Sequence, residues 1–141
     1  MNIEAMNQAI RVLEGVPAEN FRMNWVLHSN ANLPKLERTI DDIKPLLHTC
    51  GTSACVVGWC AADSWFRQRG AYLFNSMSNQ FDQWAGEDGI QQILGLTDAQ
   101  YEELIEAEHP ALEGKAFSTI TPADMIGVLK AMIEENQNAG A

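Results

Sequence analysis

The sequence predicts a mainly α-helical protein, a compact single domain of about five or six helices. Three observations favour this fold class. Apolar residues recur at three- and four-residue steps along most of the chain, which is the period of an amphipathic helix. Helix-start and helix-end signatures bracket several of these segments. The 141 residues suit one domain, 1–141, because a chain of this length can bury a core without disulfides or metals.

The N-terminal segment predicts the first helix. Its apolar stripe ends near the turn at residues 15–17 and consists of Ile3, Met6, Ile10 and Leu13. Alternating side chains over residues 21–27 then indicate one short β segment or an extended stretch. Residues 26–47 contain several Asn and Pro residues, so we expect a loop there.

The middle of the chain predicts a central buried helix from Ser53 to Phe66. Thr52 or Ser53 would be its N-cap, because a hydroxyl oxygen can accept a hydrogen bond from the first free backbone N–H groups. Apolar residues surround this helix on all sides until Asp63, which is typical of a helix buried on every face. The polar residues and glycine of segment 67–80 predict an irregular loop.

The second half carries clearer helix boundaries. A helix before Gly95 is expected to end there, with the glycine in the left-handed conformation. A capping box at residues 97–100 predicts a helix through about Ala107. Residues 121–124 predict the start of the last helix, because proline suits the first helical position and an acid suits the first turn. The core-facing residues of that helix are Met125, Val128, Leu129, Met132 and Ile133, and residues 136–141 are expected to fray.

The formal net charge of −10 is unevenly distributed. Residues 1–70 hold seven basic and seven acidic side chains, whereas residues 71–141 hold two basic and twelve acidic ones. Direct nucleic-acid binding depends on Lys and Arg at phosphates, so this distribution argues against it. An acidic surface suits a basic protein partner or mimicry of nucleic-acid charge, although it also simply favours solubility.

The sequence predicts a cytoplasmic protein that does not bind a membrane. Its longest uninterrupted apolar stretch, residues 54–62, is far shorter than the roughly 20 residues that span a bilayer. The N-terminus lacks the pattern of a secretory signal. Three clustered cysteines are an odd number, which favours a reducing compartment.

Three motifs resemble those of one protein family. They are Phe21-x-Met23-x-Trp25, Cys50-Gly-Thr-x-x-Cys55-x-x-Gly-Trp59 and Leu94-Gly-Leu-Thr-Asp98. The chain thereby resembles small uncharacterised proteins encoded by bacteriophages and by phage-derived regions of bacterial genomes, over roughly residues 1–25, 48–62 and 85–135. Beside that family, residues 26–47 look like an insertion particular to this chain, and Cys60 lies outside the motif. The resemblance implies a phage or prophage origin and a compact helical domain, and it implies no activity.

The cysteine segment could carry chemistry in three ways. Zinc would need ligands from His48, Cys50, Cys55 and Cys60, but on one regular helix Cys55 and Cys60 point roughly 140° apart. His28 and His109 could substitute, yet nothing around them selects them, so we expect no metal and no cofactor. A nucleophilic Cys50 with His48 as base lacks an assignable third group, so the sequence favours a protein that is not an enzyme. Buried cysteines that act as small apolar residues are the simpler interpretation.

The third possibility is an anion site. Cys50, Gly51, Thr52 and Ser53 at a helix start could hold the phosphate or carboxylate of a small ligand, in a nucleotide-binding protein or hydrolase. The segment lacks the lysine and the longer glycine loop of a P-loop.

Two other surfaces are candidate contact sites for a protein partner. One is the predicted 65–84 loop, where aromatic and arginine side chains are typical interface anchors, although they could also complete the core; its residues are Trp65, Arg67, Arg69, Tyr72 and Phe74. The other is the outward face of the helix that follows Thr97, with Glu102, Glu103 and Glu106. The sequence thus favours a non-enzymatic, acidic phage accessory protein that binds and modulates a host protein. The small-ligand protein and a virion or assembly component are the alternatives.

Overall fold

A computed structural model describes residues 1–21, 23, 27–29, 52, 53, 55–71, 73–77, 80–83 and 89–139. Six α-helices lie in these residues, which confirms the predicted mainly α fold class. Their bounds are α1 Ile3–Glu14, α2 Val56–Ala62, α3 Ser64–Arg67, α4 Ile90–Leu94, α5 Asp98–Ile105 and α6 Pro122–Ala139. Short 3-10 turns occupy Ala18–Asn20, Pro110–Leu112 and Phe117–Thr119.

Helix α1 forms where its apolar stripe predicts it. Asn2 caps its N-terminus, since the Asn2 side chain accepts a hydrogen bond of 3.1 Å from the Ala5 N–H. The stripe faces the core, against α2 and α6, with Ile3 only half-buried; the buried residues are Ala5, Met6, Ala9, Ile10 and Leu13. The helix ends at Gly15, as expected.

Helix α2 is buried on every side, as its composition predicts, but its predicted bounds are wrong. All seven residues of α2 are buried, and the helix begins only at Val56. Its N-cap is Cys55, whose side chain makes no capping hydrogen bond. The chain also leaves the helix at Asp63, where ψ is 137°. The Asp63 carboxylate accepts a hydrogen bond of 3.1 Å from the Trp65 N–H and so starts α3 as a separate helix.

Among the described residues, four short strands form an antiparallel sheet with the order β2-β1-β4-β3. The strands are β1 Leu27–Ser29, β2 Thr52–Ser53, β3 Leu73–Met77 and β4 Gln80–Gln83. The single β segment expected near residues 21–27 overlaps β1 at Leu27, and residues 22 and 24–26 of that range lie outside the described residues. The predicted loop over 67–80 is wrong for β3, since cross-strand pairing with β4 stabilises that segment and the local pattern does not reveal it. The rest of segment 26–47 lies outside the described residues.

The junction between α4 and α5 follows its sequence signals. Gly95 has a φ of +67°, the left-handed conformation predicted for it. A Cβ there would lie 2.8 Å from the Asn2 nitrogen, because Asn2 N–H donates to the Leu94 carbonyl oxygen at 2.8 Å. Thr97 and Gln100 form the expected capping box. Helix α5 ends at Ile105, two residues earlier than expected, and Ala107 follows with a φ of +53°.

Helix α6 begins at Pro122 as predicted. The Thr121 hydroxyl accepts from the Asp124 N–H at 3.2 Å, and the Asp124 carboxylate accepts from the Thr121 N–H at 2.9 Å. The core-facing residues of α6 are buried as predicted, except that Ile133 is half-buried. The helix continues to Ala139, so the residues expected to fray from 136 onward are helical up to that point.

Candidate functional site

The cysteine segment does not open a helix at Thr52 or Ser53. Both residues lie in β2, where Ser53 pairs with His28 and Thr52 pairs with Ser29. The predicted N-cap is therefore wrong, and the anion-site hypothesis loses the helix start on which it was based. Cys50, Gly51 and His48 lie outside the described residues.

The two described thiols are buried, with Cys55 5% and Cys60 0% exposed. Burial raises the pKa of the Cys60 thiol well above its usual value, and the nearby Asp63 and Cys55 add to this shift. The thiol of Cys60 is therefore neutral at neutral pH, whereas a nucleophile or metal ligand needs the thiolate. The pKa of the Tyr101 hydroxyl on α5 is raised as well. Burial is the largest cause, and the nearby Cys55 and Cys60 thiols add to it.

The angle argument against zinc does not apply to these cysteines, because Cys55 is an extended N-cap residue and not part of α2. In the described part of the chain, no three or more His, Cys, Asp or Glu side chains lie together in a way that could hold a metal ion. His28 lies in β1, and His109 follows α5 in a turn.

Much of the described part of the predicted 65–84 loop lies in regular elements, namely the end of α3, β3 and β4. Phe66 on α3 is fully buried, and Trp65 is half-buried with its ring 5.0 Å from that of Phe66. The guanidinium of Arg69 stacks on Trp65 at 3.5 Å from the ring centre, and its Nη1 donates to the Trp65 carbonyl oxygen at 3.0 Å. Phe74 lies in β3.

Tyr72 and Arg67 also belong to the predicted 65–84 loop. Tyr72 lies outside the described residues. Arg67 is half-buried at the end of α3, and its Nη1 is buried without a hydrogen-bond partner in the described part of the chain.

The acidic face lies on α5 and the residues around it. Glu102 and Glu106 are exposed, as predicted, whereas Glu103 is half-buried. Residues 89–139 contain nine acidic and two basic side chains. One of the two bases, Lys115, is already paired with Asp124 at 2.6 Å.

His109 is a buried polar residue whose role the sequence analysis missed. It is 4% exposed, its Nδ1 accepts from the Ala111 N–H at 3.1 Å, and its Nε2 lies 3.0 Å from Glu135 Oε1. Because Nδ1 accepts, the ring proton is on Nε2 and is donated to Glu135. The side chain thus caps the 3-10 turn and ties it to α6. Proline directly after a capping residue is a signal that could have revealed the first of these two roles.

A cleft between α1 and α2 was also missed. We name it the α1–α2 cleft; it has a volume of about 190 Å³ and is lined by Gln8, Arg11, Val12, Gly15, Trp59, Ala62 and Asp63. Its polar side chains form a chain of hydrogen bonds: Arg11 Nε donates to Gln8 at 3.0 Å, and Gln8 donates to Asp63 at 3.2 Å. Trp59 also lines the cleft, and its indole N–H donates to the Asn20 carbonyl oxygen at 3.2 Å.

No protein-family model, curated protein or solved structure matches this chain. Within the described ranges, no helix is both long enough and apolar enough to cross a membrane.

Proposed function

We propose that this chain is a non-enzymatic protein-binding module that docks a basic surface of another protein on its acidic C-terminal half. The observation that carries this proposal is the charge of residues 89–139, where nine acids accompany only two bases. The pairing of Lys115 with Asp124 leaves that region with even less exposed positive charge. A surface of this kind attracts a basic partner at long range and speeds their association.

The placement of the charges on α5 supports a role in binding. Glu102 lies on α5, and Glu106, four residues later, is the C-cap residue that directly follows the helix; like charges at this spacing destabilise a helix. Glutamates near the C-terminus of a helix also oppose its dipole, and the last turn of α5 contains no basic residue. These charges therefore cost the helix stability, which favours an intermolecular role for them.

The partner follows from the resemblance to phage-encoded proteins. If the chain has that origin, the proteins available to it are those of the bacterial host, and the proposed action is to occupy a basic site of one of them. The acidic face could then stand in for the phosphates that such a site normally contacts.

A salt-dependent capture experiment tests the proposal. The immobilised protein is incubated with host lysate at low and at high salt, beside a variant with Glu102→Gln and Glu106→Gln. We expect wild type to retain a basic protein at low salt only, because salt screens exposed charges, and the variant to retain much less.

The matched control carries Glu14→Gln and Glu19→Gln, which remove two exposed charges from the balanced half of the chain. It should capture the partner as wild type does. Recovery of no partner at low salt, or equal recovery by the α5 variant, would contradict the proposal.

A further inference from the structure

The buried His109 ring joins the 3-10 turn at Pro110–Leu112 to α6 through two hydrogen bonds of opposite kind. Its Nδ1 accepts from the Ala111 N–H at 3.1 Å, and its Nε2 donates to Oε1 of Glu135, on α6, at 3.0 Å. A backbone N–H can only donate, so Nδ1 must carry a free electron pair and the ring must be neutral. The observed pair of contacts therefore belongs to one protonation state of the ring.

A second proton on the ring is incompatible with the cap of the turn. The proton would occupy Nδ1 and place a ring N–H against the Ala111 N–H, so that two donors would face each other at 3.1 Å. The ring is only 4% exposed, so Nδ1 has no direct access to water where it lies. Because an unmade hydrogen bond at a buried donor is costly, protonation must separate Nδ1 from Ala111.

The rest of the turn can persist without this cap. The Leu112 N–H donates to the His109 carbonyl oxygen at 2.9 Å, and the Glu113 N–H donates to the Pro110 carbonyl oxygen at 3.1 Å. Neither bond uses the imidazole. Leu112 stays anchored in the core, whereas Pro110 and Ala111 are exposed, so a freed Ala111 N–H can bond to water. Loss of the cap is therefore a local change and not unfolding.

The charges around the ring suit a positive histidine. Glu135 is in direct contact, and a charge on the ring would turn that hydrogen bond into an ion pair. Glu108 and Glu113 line an open surface depression together with His109. The charged side chains at the end of α5, on the turn and in the last ten residues of α6 are Glu102, Glu103, Glu106, Glu108, Glu113, Lys130, Glu134 and Glu135. Only one of these is basic, so carboxylates offset the cost of burying a charge.

We propose that His109 is a pH-sensitive switch of this turn. The neutral ring caps the Ala111 N–H, whereas the protonated ring releases it and stays bound to Glu135 as an ion pair. The proton comes from solvent and is taken up at Nδ1, and no other covalent bond changes. Histidine is the side chain whose charge ordinarily changes between about pH 5 and 8. The exposed edge at Pro110 and Ala111 thus has one arrangement near neutral pH and another in mild acid.

The test is a titration of the full chain from pH 8 to pH 5, above the range near pH 4 in which carboxylates ordinarily take up protons. Two-dimensional NMR follows the ring nitrogens of His109 and the backbone amide of Ala111. We expect both signals to change with one midpoint. The protection of the Ala111 amide against hydrogen exchange should fall about fivefold, as expected for one lost capping bond. Contacts between the ring and the Glu135 side chain should persist at both ends of the titration.

Two variants separate the histidine from its surroundings. His109→Asn keeps an oxygen that can cap the turn but has no ring to protonate, so its Ala111 amide should not respond between pH 8 and pH 5. This variant also identifies the His109 signals, because His28 and His48 are the other histidines of the chain. Glu108→Gln with Glu113→Gln removes two nearby carboxylates and keeps the ring, so the Ala111 response should persist. Urea unfolding checks that both variants are folded.

The inference is overturned if His109 stays neutral down to pH 5 in the folded chain, or if its ring is protonated without a response at Ala111. A response that survives in His109→Asn, or that is lost in the Glu108 and Glu113 variant, would assign the change to other groups. Loss of the contact with Glu135 in mild acid would contradict the ion pair. The switch does not depend on the proposed docking surface, so Glu102→Gln with Glu106→Gln should keep the coupled response.

Discussion

Helices α2 and α5 have almost the same length, seven and eight residues, but they are stabilised in different ways. Helix α2 is buried on all sides and begins at a residue whose side chain makes no capping bond. Helix α5 begins at a complete capping box, and of its residues only Leu104 is fully buried. Its remaining surface carries the acidic residues.

Isolated helices shorter than about 12 residues are marginal in water, so both need help from the rest of the protein. For α2 this help comes from contacts with α1 and the sheet, which exist only in the complete fold. For α5 much of it comes from bonds between residues a few positions apart. Packing therefore stabilises α2, whereas the local sequence determines where α5 begins. Because α5 depends less on packing, its exposed residues can be selected for binding.

Substitution of Trp59 in α2 should have the largest effect. Trp59→Ala removes a large side chain that is 4% exposed and leaves the Asn20 carbonyl without its indole donor. We expect a loss of about 3–5 kcal/mol in the free energy of unfolding, measured by urea denaturation. Trp59→Phe keeps most of the volume and should lose less than half as much. A loss below about 1 kcal/mol for Trp59→Ala would mean that α2 is not stabilised mainly by packing.

The turn after α5 offers an intermediate case, because His109 combines burial with a local bond. His109→Ala removes the acceptor of the Ala111 N–H and the donor to Glu135, with an expected cost of about 2 kcal/mol. His109→Asn supplies a new capping oxygen and should recover about 1 kcal/mol of this in the same urea experiment. Equal stability of the two variants would show that the cap contributes little.

Substitutions of the N-cap residue of α5 should lower the free energy of unfolding only when they remove the capping oxygen. Thr97→Ala removes the oxygen that accepts from the Gln100 N–H, which should cost about 1 kcal/mol. Thr97→Ser retains an equivalent oxygen and should differ from wild type by a few tenths of a kcal/mol in thermal or urea unfolding. If Thr97→Ser is as unstable as Thr97→Ala, the methyl group and not the cap would explain the effect.

The smallest effect concerns the ion pair at the start of α6. The hydrogen bond from Lys115 lowers the pKa of the Asp124 carboxyl below its usual value of 3.8. Because the pKa is lowered in the folded state, the pair adds stability above about pH 4, and this is lost as the pH falls through the folded-state pKa. We expect Lys115→Met to cost less than about 1 kcal/mol near pH 7 and close to nothing at the acid end of a pH series of urea unfolding curves. A cost independent of pH would contradict this assignment.

The contrast between α2 and α5 also explains which features the sequence could predict. Gly95, the Thr97 capping box and the start of α6 depend on neighbours within a few residues, so their signals are complete in the local sequence. The start of α2 was misplaced because Thr52 and Ser53, good capping residues, pair with β1 instead.

The candidate sites depend even more on contacts between distant residues, which the local sequence cannot predict. The hydrogen bond between Gln8 and Asp63 joins residues 55 positions apart, and the contact of His109 with Glu135 joins residues 26 apart. No periodicity or motif indicates such pairs, so the cleft and the buried histidine became visible only in the fold. The exposure of Glu102 and Glu106, by contrast, was predicted from helical spacing, although the same spacing predicted an exposed Glu103, which is half-buried.

Gly95 has a consequence for how the protein can vary in evolution. Any other residue there would have to adopt a positive φ and also push the start of the chain away from α4. Gly127, in the middle of α6, has open space where a Cβ would be placed, and alanine there should even favour the helix. Among related sequences we therefore expect glycine to be retained at position 95 and freely replaced at position 127.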